Sequence, residues 1–242
     1  MRTQNNLLSF FNIQNEKDLE FDVYYADIEV HGILWFHWLA QPRDKYTHLL
    51  PPVVHNYALA LSLIGKPATK SYVSLQNRFE YIPLEDLYRE QGLYVYPALV
   101  TTPYVKSLLF SLGGTGYLAI KPKTRAPVPD ITVNTVLLSG TKLKTYVILK
   151  KNSPLYGRRE LYMRFGAKRY GVSKITLKRV NYRIYRGELK QITHPYNIND
   201  VVVKNPSIIM RHRAGNIGLF GFTNRAFIIS NDILPTPKFI KL

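Results

Sequence analysis

The segment Phe21–His31 alternates apolar and polar side chains with a period of two, and this alternation constrains the fold more than any other feature of the chain. Tyr24, Ala26, Ile28 and Val30 fall on one side of an extended backbone. A period of two is typical of a β-strand that buries one face. We therefore predict a strand at Phe21–His31 whose even-numbered side chains face the core.

Two later segments carry helix signals. Val53–Ile64 is rich in alanine and leucine and is followed by Gly65, and a second, shorter helix is predicted between Pro83 and Gly92. Proline is favoured at the first position of a helix, and glycine just after its end. Further strands are predicted at Leu93–Val100, Lys142–Lys150 and Lys174–Arg186. The order of strand, helix and strand, followed by more strands, predicts an α+β fold with an antiparallel-rich sheet.

The alternation within Lys174–Arg186 shifts by one residue part-way along. Ile175 and Leu177 set one phase, whereas Val180 and Tyr182 set the other. A β-bulge at residues 178–179 would produce this shift. The outward face would then present cations roughly 7 Å apart, closer than the Debye length of about 8 Å at physiological salt. We expect this row to act as a single positive field.

The positive charge is concentrated in one part of the chain. The full sequence has 33 Lys and Arg against 16 Asp and Glu, a formal net charge of +17. Residues 142–190 alone hold 15 of the cations and two of the anions. Because like charges on one surface repel each other, a partner that neutralises them is expected. Nucleic acid is the interpretation that we prefer over a basic surface that serves only solubility.

Aromatic residues such as Tyr162 and Tyr185 are interleaved with these cations. The mixture suits a single-stranded nucleic acid, because cations follow the phosphates while rings stack on bases. Gly157 precedes the densest stretch, Arg158–Lys178, and Gly166 and Gly171 divide it. Arg211–Gly221 is a second glycine-rich basic segment. The predicted RNA-contacting residues are Arg158, Arg159, Arg164, Lys168, Arg169, Lys174, Lys178, Arg179, Arg183, Arg211 and Arg213.

Signals of catalysis and of bound metal are weak. The chain has no cysteine, which excludes disulfides and thiolate metal sites. The six histidines show no metal-ligand spacing. The glycine run Gly113–Gly116 lacks the Lys-Ser/Thr pair of a phosphate-binding P-loop. We assign no catalytic residue, no metal and no cofactor.

No segment is predicted to cross or to be sent across a membrane. The longest uncharged apolar runs, such as Gly32–Ala40, are far shorter than the roughly 20 residues that a spanning helix needs. Leu7–Phe11 is too short for the apolar region of a signal peptide. We expect a cytoplasmic protein without a membrane partner.

Four short segments together resemble a known family. They are VVHNYALALSL at residues 53–63, LEDLYREQGLYVYPALVTTP at 84–103, RFGAKRYGVSK at 164–174 and THPYNINDV at 193–201. In this order they are similar to the motifs of the type I-D CRISPR Cascade subunit Csc-one, a Cas-five-like member of the RAMP superfamily. The positions that carry the resemblance residue by residue are His55, Asn56, Tyr57, Arg164, Gly166 and, beyond the intervening Ala167, Lys168.

The resemblance implies a fold and a function. It implies one RAMP-type domain over residues 1–242, with an RRM-like (ferredoxin-like) core at about 21–203, helices on one face of its antiparallel sheet, and a β-rich basic extension at about 204–242. Members of the family act as structural binders of the 5′ end of a CRISPR RNA, beside the large subunit and at the foot of the backbone filament. Contact with target DNA would be compatible with that position.

Two other functions stay open from the residues alone. The first is a metal-free RAMP endoribonuclease that processes CRISPR repeat RNA, with His31, His37 or His55 acting beside a tyrosine or lysine. The second is a basic structural component of a different ribonucleoprotein. Neither has a distinctive motif in the chain.

Overall fold

A computed structural model describes residues 19–34, 53–65, 82–111, 131–166, 171–212 and 214–241. Strands make up 55% of the structure and helices 10%. In chain order the elements are β1 (Phe21–Val30), β2 (Val53–Val54), α1 (Asn56–Leu63), α2 (Leu84–Gln91), β3 (Leu93–Val95), β4 (Ala98–Thr102), β5 (Val105–Ser111), β6 (Ile131–Leu137), β7 (Lys142–Lys150), β8 (Glu160–Phe165), β9 (Gly171–Arg179), β10 (Arg183–Gln191), β11 (Tyr196–Asn197), β12 (Lys204–Met210), β13 (Ile217–Ile229) and β14 (Asp232–Pro235).

The first strand lies at the centre of a large sheet, sheet one. The strand order is β2-β4-β7-β1-β9-β8, with β3 also paired to β7, and the sheet curls into a half-barrel. All of these pairs are antiparallel. As predicted, Tyr24, Ala26, Ile28 and Val30 of β1 are buried. Strand β8 ends the order and is therefore an edge strand.

The C-terminal residues form a second antiparallel sheet, sheet two. Its long strand β13 pairs with β10, β11, β12 and β14. Strands β5 and β6 form a separate two-stranded ribbon. Sheet two packs on sheet one through aromatic rings. Phe227 of β13 lies edge-on to Phe21 of β1 at 5.9 Å and to Tyr182 at 5.5 Å between ring centroids.

The predicted α+β, ferredoxin-like architecture with helices covering one face of the sheet is wrong. The described residues contain two helices of eight residues each, too little to cover a seven-stranded sheet. Helix α1 packs on β3 and β8, and α2 packs on β3. Phe227, Ile229 and Leu234 of sheet two belong to the same buried cluster as the apolar side chains of sheet one. The molecule is therefore a mostly β structure in which two sheets share one core.

The local helix predictions are correct to different degrees. Helix α2 follows Pro83 and ends at Gly92, whose φ of +62° is the left-handed conformation that glycine adopts most readily. Helix α1 begins three residues later than predicted, because Val53 and Val54 pair with Leu99 and Ala98 as strand β2. Residues 112–130, which contain Gly113–Gly116, lie outside the described residues.

The predicted β-bulge at residues 178–179 is also wrong. Strand β9 ends at Arg179 in sheet one, and β10 begins at Arg183 in sheet two. The shift in alternation marks the passage of the chain from one sheet to the other. Lys174 and Arg183 consequently do not belong to one continuous strand face.

The ring contact between the sheets gives a first prediction. Phe227→Ala is expected to lower the free energy of unfolding by about 3–5 kcal/mol, because it leaves a cavity among fully buried rings. Phe220→Ala on the same strand is the matched control, since Phe220 is half exposed and its removal should cost less than about 0.5 kcal/mol. Urea unfolding measures both. Equal losses would contradict the role given to Phe227.

Candidate nucleic-acid interface

The outer face of sheet one carries rows of opposite charge. Asp27 and Glu29 of the central strand β1 point outward and are exposed. The pairing places Asp27 opposite Lys144 of β7 and Glu29 between Lys142 of β7 and Lys174 of β9. Asp27, Glu29, Lys142 and Lys174 line a cleft of about 260 Å³. Opposite charges on neighbouring strands attract, so the centre of this face is close to neutral.

Several predicted RNA-contacting cations are in ion pairs. The ammonium group of Lys174 lies 2.7 Å from the Glu160 carboxylate, and that of Lys178 lies 3.5 Å from Asp27. The Arg179 guanidinium donates to Asp22 at 2.7 Å. Asp22 is buried and also accepts a hydrogen bond from the Tyr156 hydroxyl. A buried carboxylate requires such partners, so Arg179 stabilises the fold.

Three other predicted cations are exposed and have no carboxylate partner among the described residues. Arg158 and Arg159 precede the edge strand β8, and Arg164 lies within it. Along β8 the side chains of Glu160, Tyr162 and Arg164 point outward while the intervening ones point toward the core. Tyr162 is 70% exposed. The edge therefore combines guanidinium groups with an accessible ring; we call it the β8 edge, meaning Arg158, Arg159, Tyr162 and Arg164.

The remaining predicted cations lie elsewhere. Arg183 is exposed on β10 of sheet two, and Arg211 is exposed after β12. Lys168, Arg169 and Arg213 fall outside the described residues. The structure thus divides the predicted set between two sheets and does not arrange it as one row.

Of the family-motif residues, His55 and Asn56 are buried, between the two sheets. The Asn56 amide donates to the Asp200 carboxylate at 2.9 Å, and the Tyr94 hydroxyl reaches the same oxygen at 3.3 Å. The Asn197 side-chain amide donates to Oδ1 of the Asn56 side chain at 3.2 Å. We call these side chains, together with His55, the buried joint. They link α1 and β3 to the turn after β11, hence sheet one to sheet two.

His55 caps helix α1 and ties it to the second sheet. Its Nδ1 accepts a hydrogen bond from the backbone N–H of Tyr57 at 3.2 Å, so the proton is on Nε2, which donates to the Gly215 carbonyl at 3.0 Å. Burial lowers the pKa of His55 to about 4. Tyr57 is half buried. Gly166 ends β8, and a φ of +86° explains a glycine there.

The glycine-rich segment Arg211–Gly221 is explained in part by packing. A Cβ atom at Gly218 would lie 2.6 Å from the Tyr196 ring, and one at Gly221 would lie 2.7 Å from the Tyr196 hydroxyl oxygen. Residues from Ile217 onward belong to strand β13. These glycines allow Tyr196 to pack against the strand.

Comparison with known proteins agrees with the motif resemblance. The family model of the type I-D CRISPR-associated protein Cas5/Csc1 matches residues 21–213, about four fifths of the chain. The chain belongs to this family. The match begins with β1 and includes all four motif segments. No curated protein matches the sequence.

Membership of the Cas5/Csc1 family places the chain in a type I-D CRISPR system and is consistent with a subunit of the Cascade complex. The suspected family is therefore confirmed. In this member, the HNY motif at residues 55–57 contributes to the buried joint. The motif could be found in the sequence, but its contacts, which span more than 140 residues of chain, could not.

Groups that could bind a metal or span a membrane are not found in the described part of this family member. Those residues contain no cluster of three or more His, Cys, Asp or Glu side chains that could hold an ion. None of the helices there has the length and apolar character needed to cross a membrane. His37 and His48 lie outside the described residues.

A second buried histidine, His194, holds β4 to sheet two. Its Nε2 lies 3.1 Å from the Pro97 carbonyl, and burial lowers its pKa to about 4. Burial raises the pKa of Asp200 to about 6, against the hydrogen bonds from Asn56 and Tyr94. Each histidine has a pKa of about 6.5 in the unfolded chain and about 4 in the folded protein. Because the unfolded chain binds these protons more readily, the free energy of unfolding decreases as pH falls from about 6.5 to about 4. The raised pKa of Asp200 has the opposite effect, since the folded protein binds that proton more readily. The combined effect of the two histidines is larger than that of this one carboxyl group.

We therefore expect stability to fall on acidification, and His194→Gln to weaken that dependence. Glutamine can still donate to the Pro97 carbonyl but cannot charge, so the slope of unfolding free energy against pH should decrease by up to about 1.4 kcal/mol per pH unit. Urea unfolding between pH 4 and 6.5 measures it. His31→Gln is the control, because His31 is exposed. An unchanged slope in His194→Gln would show that His194 is not the titrating group.

Proposed function

We propose that this chain is a non-catalytic RNA-binding subunit of a type I-D Cascade complex that holds the 5′ handle of the CRISPR RNA. Family membership supplies the class of complex. The observation that carries the proposal is the β8 edge, where three arginines are exposed and unpaired among the described residues. A guanidinium group matches two phosphate oxygens at once, which a lysine cannot do.

The distribution of charge supports the β8 edge, and not the centre of sheet one, as the phosphate-binding region. A phosphate that binds Lys174 or Lys178 has to displace Glu160 or Asp27, and the displaced carboxylate would repel it. No described carboxylate competes for Arg158, Arg159 or Arg164. Tyr162 beside them can stack on a base, a contact typical of single-stranded RNA recognition.

The other expected partners belong to the same proposal. The large subunit and the backbone subunit would contact surfaces away from the β8 edge, and the complex would work in the cytoplasm in antiviral defence. The net negative charge of residues 1–100, with 8 Lys and Arg against 11 Asp and Glu, suits contact with protein neighbours better than with RNA. Contact with target DNA has no support of its own in the described residues.

The alternative function, a metal-free endoribonuclease, is weakened because one of its candidate catalytic residues, His55, is buried. His55 is 2% exposed, and both of its ring nitrogens are hydrogen-bonded to backbone groups. It cannot reach an RNA hydroxyl without opening the buried joint. His31 is the exposed candidate among the described residues. Cleavage of repeat RNA in EDTA that is abolished by His31→Ala would overturn the non-catalytic assignment.

The identity of the bound RNA is a direct test of the proposal. The full chain, purified from cells with a CRISPR array of its own type, should retain CRISPR RNAs whose 5′ handles are protected from nuclease. Sequencing of the retained RNA measures this. Retention of random cellular RNA, or of none, would contradict the assignment.

Salt dependence tests the β8 edge. Replacing Arg158, Arg159 and Arg164 together by glutamine should flatten the plot of log K against log salt by about two units, since each lost phosphate contact removes about 0.7. The charge-matched control replaces Arg89, Lys238 and Lys241, which are exposed and outside residues 142–190. Fluorescence titration with single-stranded RNA at several salt concentrations measures both slopes. Equal flattening by the control would show a diffuse charge effect and would remove the edge from the site.

A further inference from the structure

Two phenylalanines of β13 stand exposed on the outer face of sheet two. Phe220 is 51% exposed and Phe222 is 40% exposed, and Gly221 between them points inward. Side chains two residues apart on a strand share one face at a spacing of about 7 Å. Burial of large apolar rings is the normal outcome of folding, so two neighbouring exposed rings call for a partner.

The neighbours of the rings are polar or positive. The pairing places Phe222 between Gln191 of β10 and Lys204 of β12, and it places Phe220 opposite Ser207 of β12. Lys204 is exposed and has no carboxylate partner among the described residues. None of these paired residues is acidic. Such surroundings provide donors for base edges and phosphates beside the faces of the rings.

The backbone beneath the rings is held firmly. The Tyr196 hydroxyl donates to the Phe220 carbonyl at 2.7 Å. Gly221 lets Tyr196 pack this closely, because a Cβ there would lie 2.7 Å from the tyrosine oxygen and 2.5 Å from Val203. A rigid platform loses little conformational entropy when a ligand stacks on it.

The sequence Phe220-Gly221-Phe222 matches the aromatic–glycine–aromatic centre of the RNP1 pattern, with which RRM domains stack bases. The flanks differ, since Leu219 precedes it and Arg225 stands where RNP1 ends in an aromatic residue. We propose that Phe220 and Phe222 form a platform on which two unpaired bases of the CRISPR RNA stack. This inference rests on the proposed RNA-binding function and adds a second contact, on sheet two.

Substitutions can separate the contribution of the aromatic rings to RNA binding from that of their apolar surface area. Phe220→Ala and Phe222→Ala should each weaken binding of single-stranded RNA about 5- to 150-fold, the range for loss of one stacked base. Phe220→Leu and Phe222→Leu keep apolar area without a ring and should weaken it almost as much. Phe220→Tyr and Phe222→Tyr keep the ring and should bind as the original chain does. The salt slope should stay unchanged in all six, because no cation is removed.

The probe is an unstructured RNA of about ten nucleotides, within the site size of single-strand binders, that contains 2-aminopurine. It is titrated into the full chain, and stacking quenches its fluorescence. Thermal unfolding confirms that each variant is folded. Loss of quenching in the alanine and leucine variants alone is the expected result.

Three results would overturn the platform. RNA affinity and quenching that survive both alanine substitutions would do so, as would leucine variants that bind like the original chain. Alanine variants that keep RNA affinity but release a neighbouring subunit from the purified complex would assign this face, which also exposes Ile208, to a protein partner. In each case a retained salt slope would leave the proposed function standing, whereas no RNA binding by the unaltered chain would reject both.

Discussion

The hydrogen bond between the Asn56 amide and the buried Asp200 carboxylate is the contact on which the arrangement of the two sheets depends. A carboxylate without partners in an apolar interior is costly, so Asp200 holds Asn56 and Tyr94 close to the turn after β11. Asn197 and His55 extend the contact to Ala214 and Gly215. Both candidate RNA contacts are positioned through this buried joint, because the β8 edge belongs to sheet one and the phenylalanine platform to sheet two.

The sequence predicted those elements whose signals are local. Strands β1 and β7 and helix α2 were found because alternation, or flanking proline and glycine, marks them without reference to the rest of the chain. The fold class was predicted wrongly because it depends on which strands pair, and pairs such as β1 with β9 join residues more than 140 positions apart. Strand β12 was missed because its sequence, KNPSIIM, has no alternation and contains a proline. The weight given to two short helices then led to an α+β assignment.

At the candidate site, too, local sequence signals are predictable and contacts between distant segments are not. Counting charge by segment points to residues 142–190 as the binding region, but it cannot show that β1 brings Asp22, Asp27 and Glu29 among those cations. The three arginines of the β8 edge belong to the predicted set, although only the structure shows that no described carboxylate pairs with them. Residues 220–222 overlap the end of Arg211–Gly221, a segment whose glycines and cations are its most evident sequence features. The aromatic–glycine–aromatic pattern is present in the sequence, but only the structure shows that both rings are exposed and could contact a ligand.

A single-stranded RNA held at both places would be bound by two different forces. The β8 edge would attract phosphates, so its contribution would fall with salt and would not depend on base identity. The platform would act through ring stacking, so its contribution would be nearly independent of salt and would require unpaired bases. A duplex satisfies the first contact but not the second. The combination would therefore favour an unpaired segment of a guide RNA over the large excess of double-stranded nucleic acid in a cell, which a positive surface alone could not do.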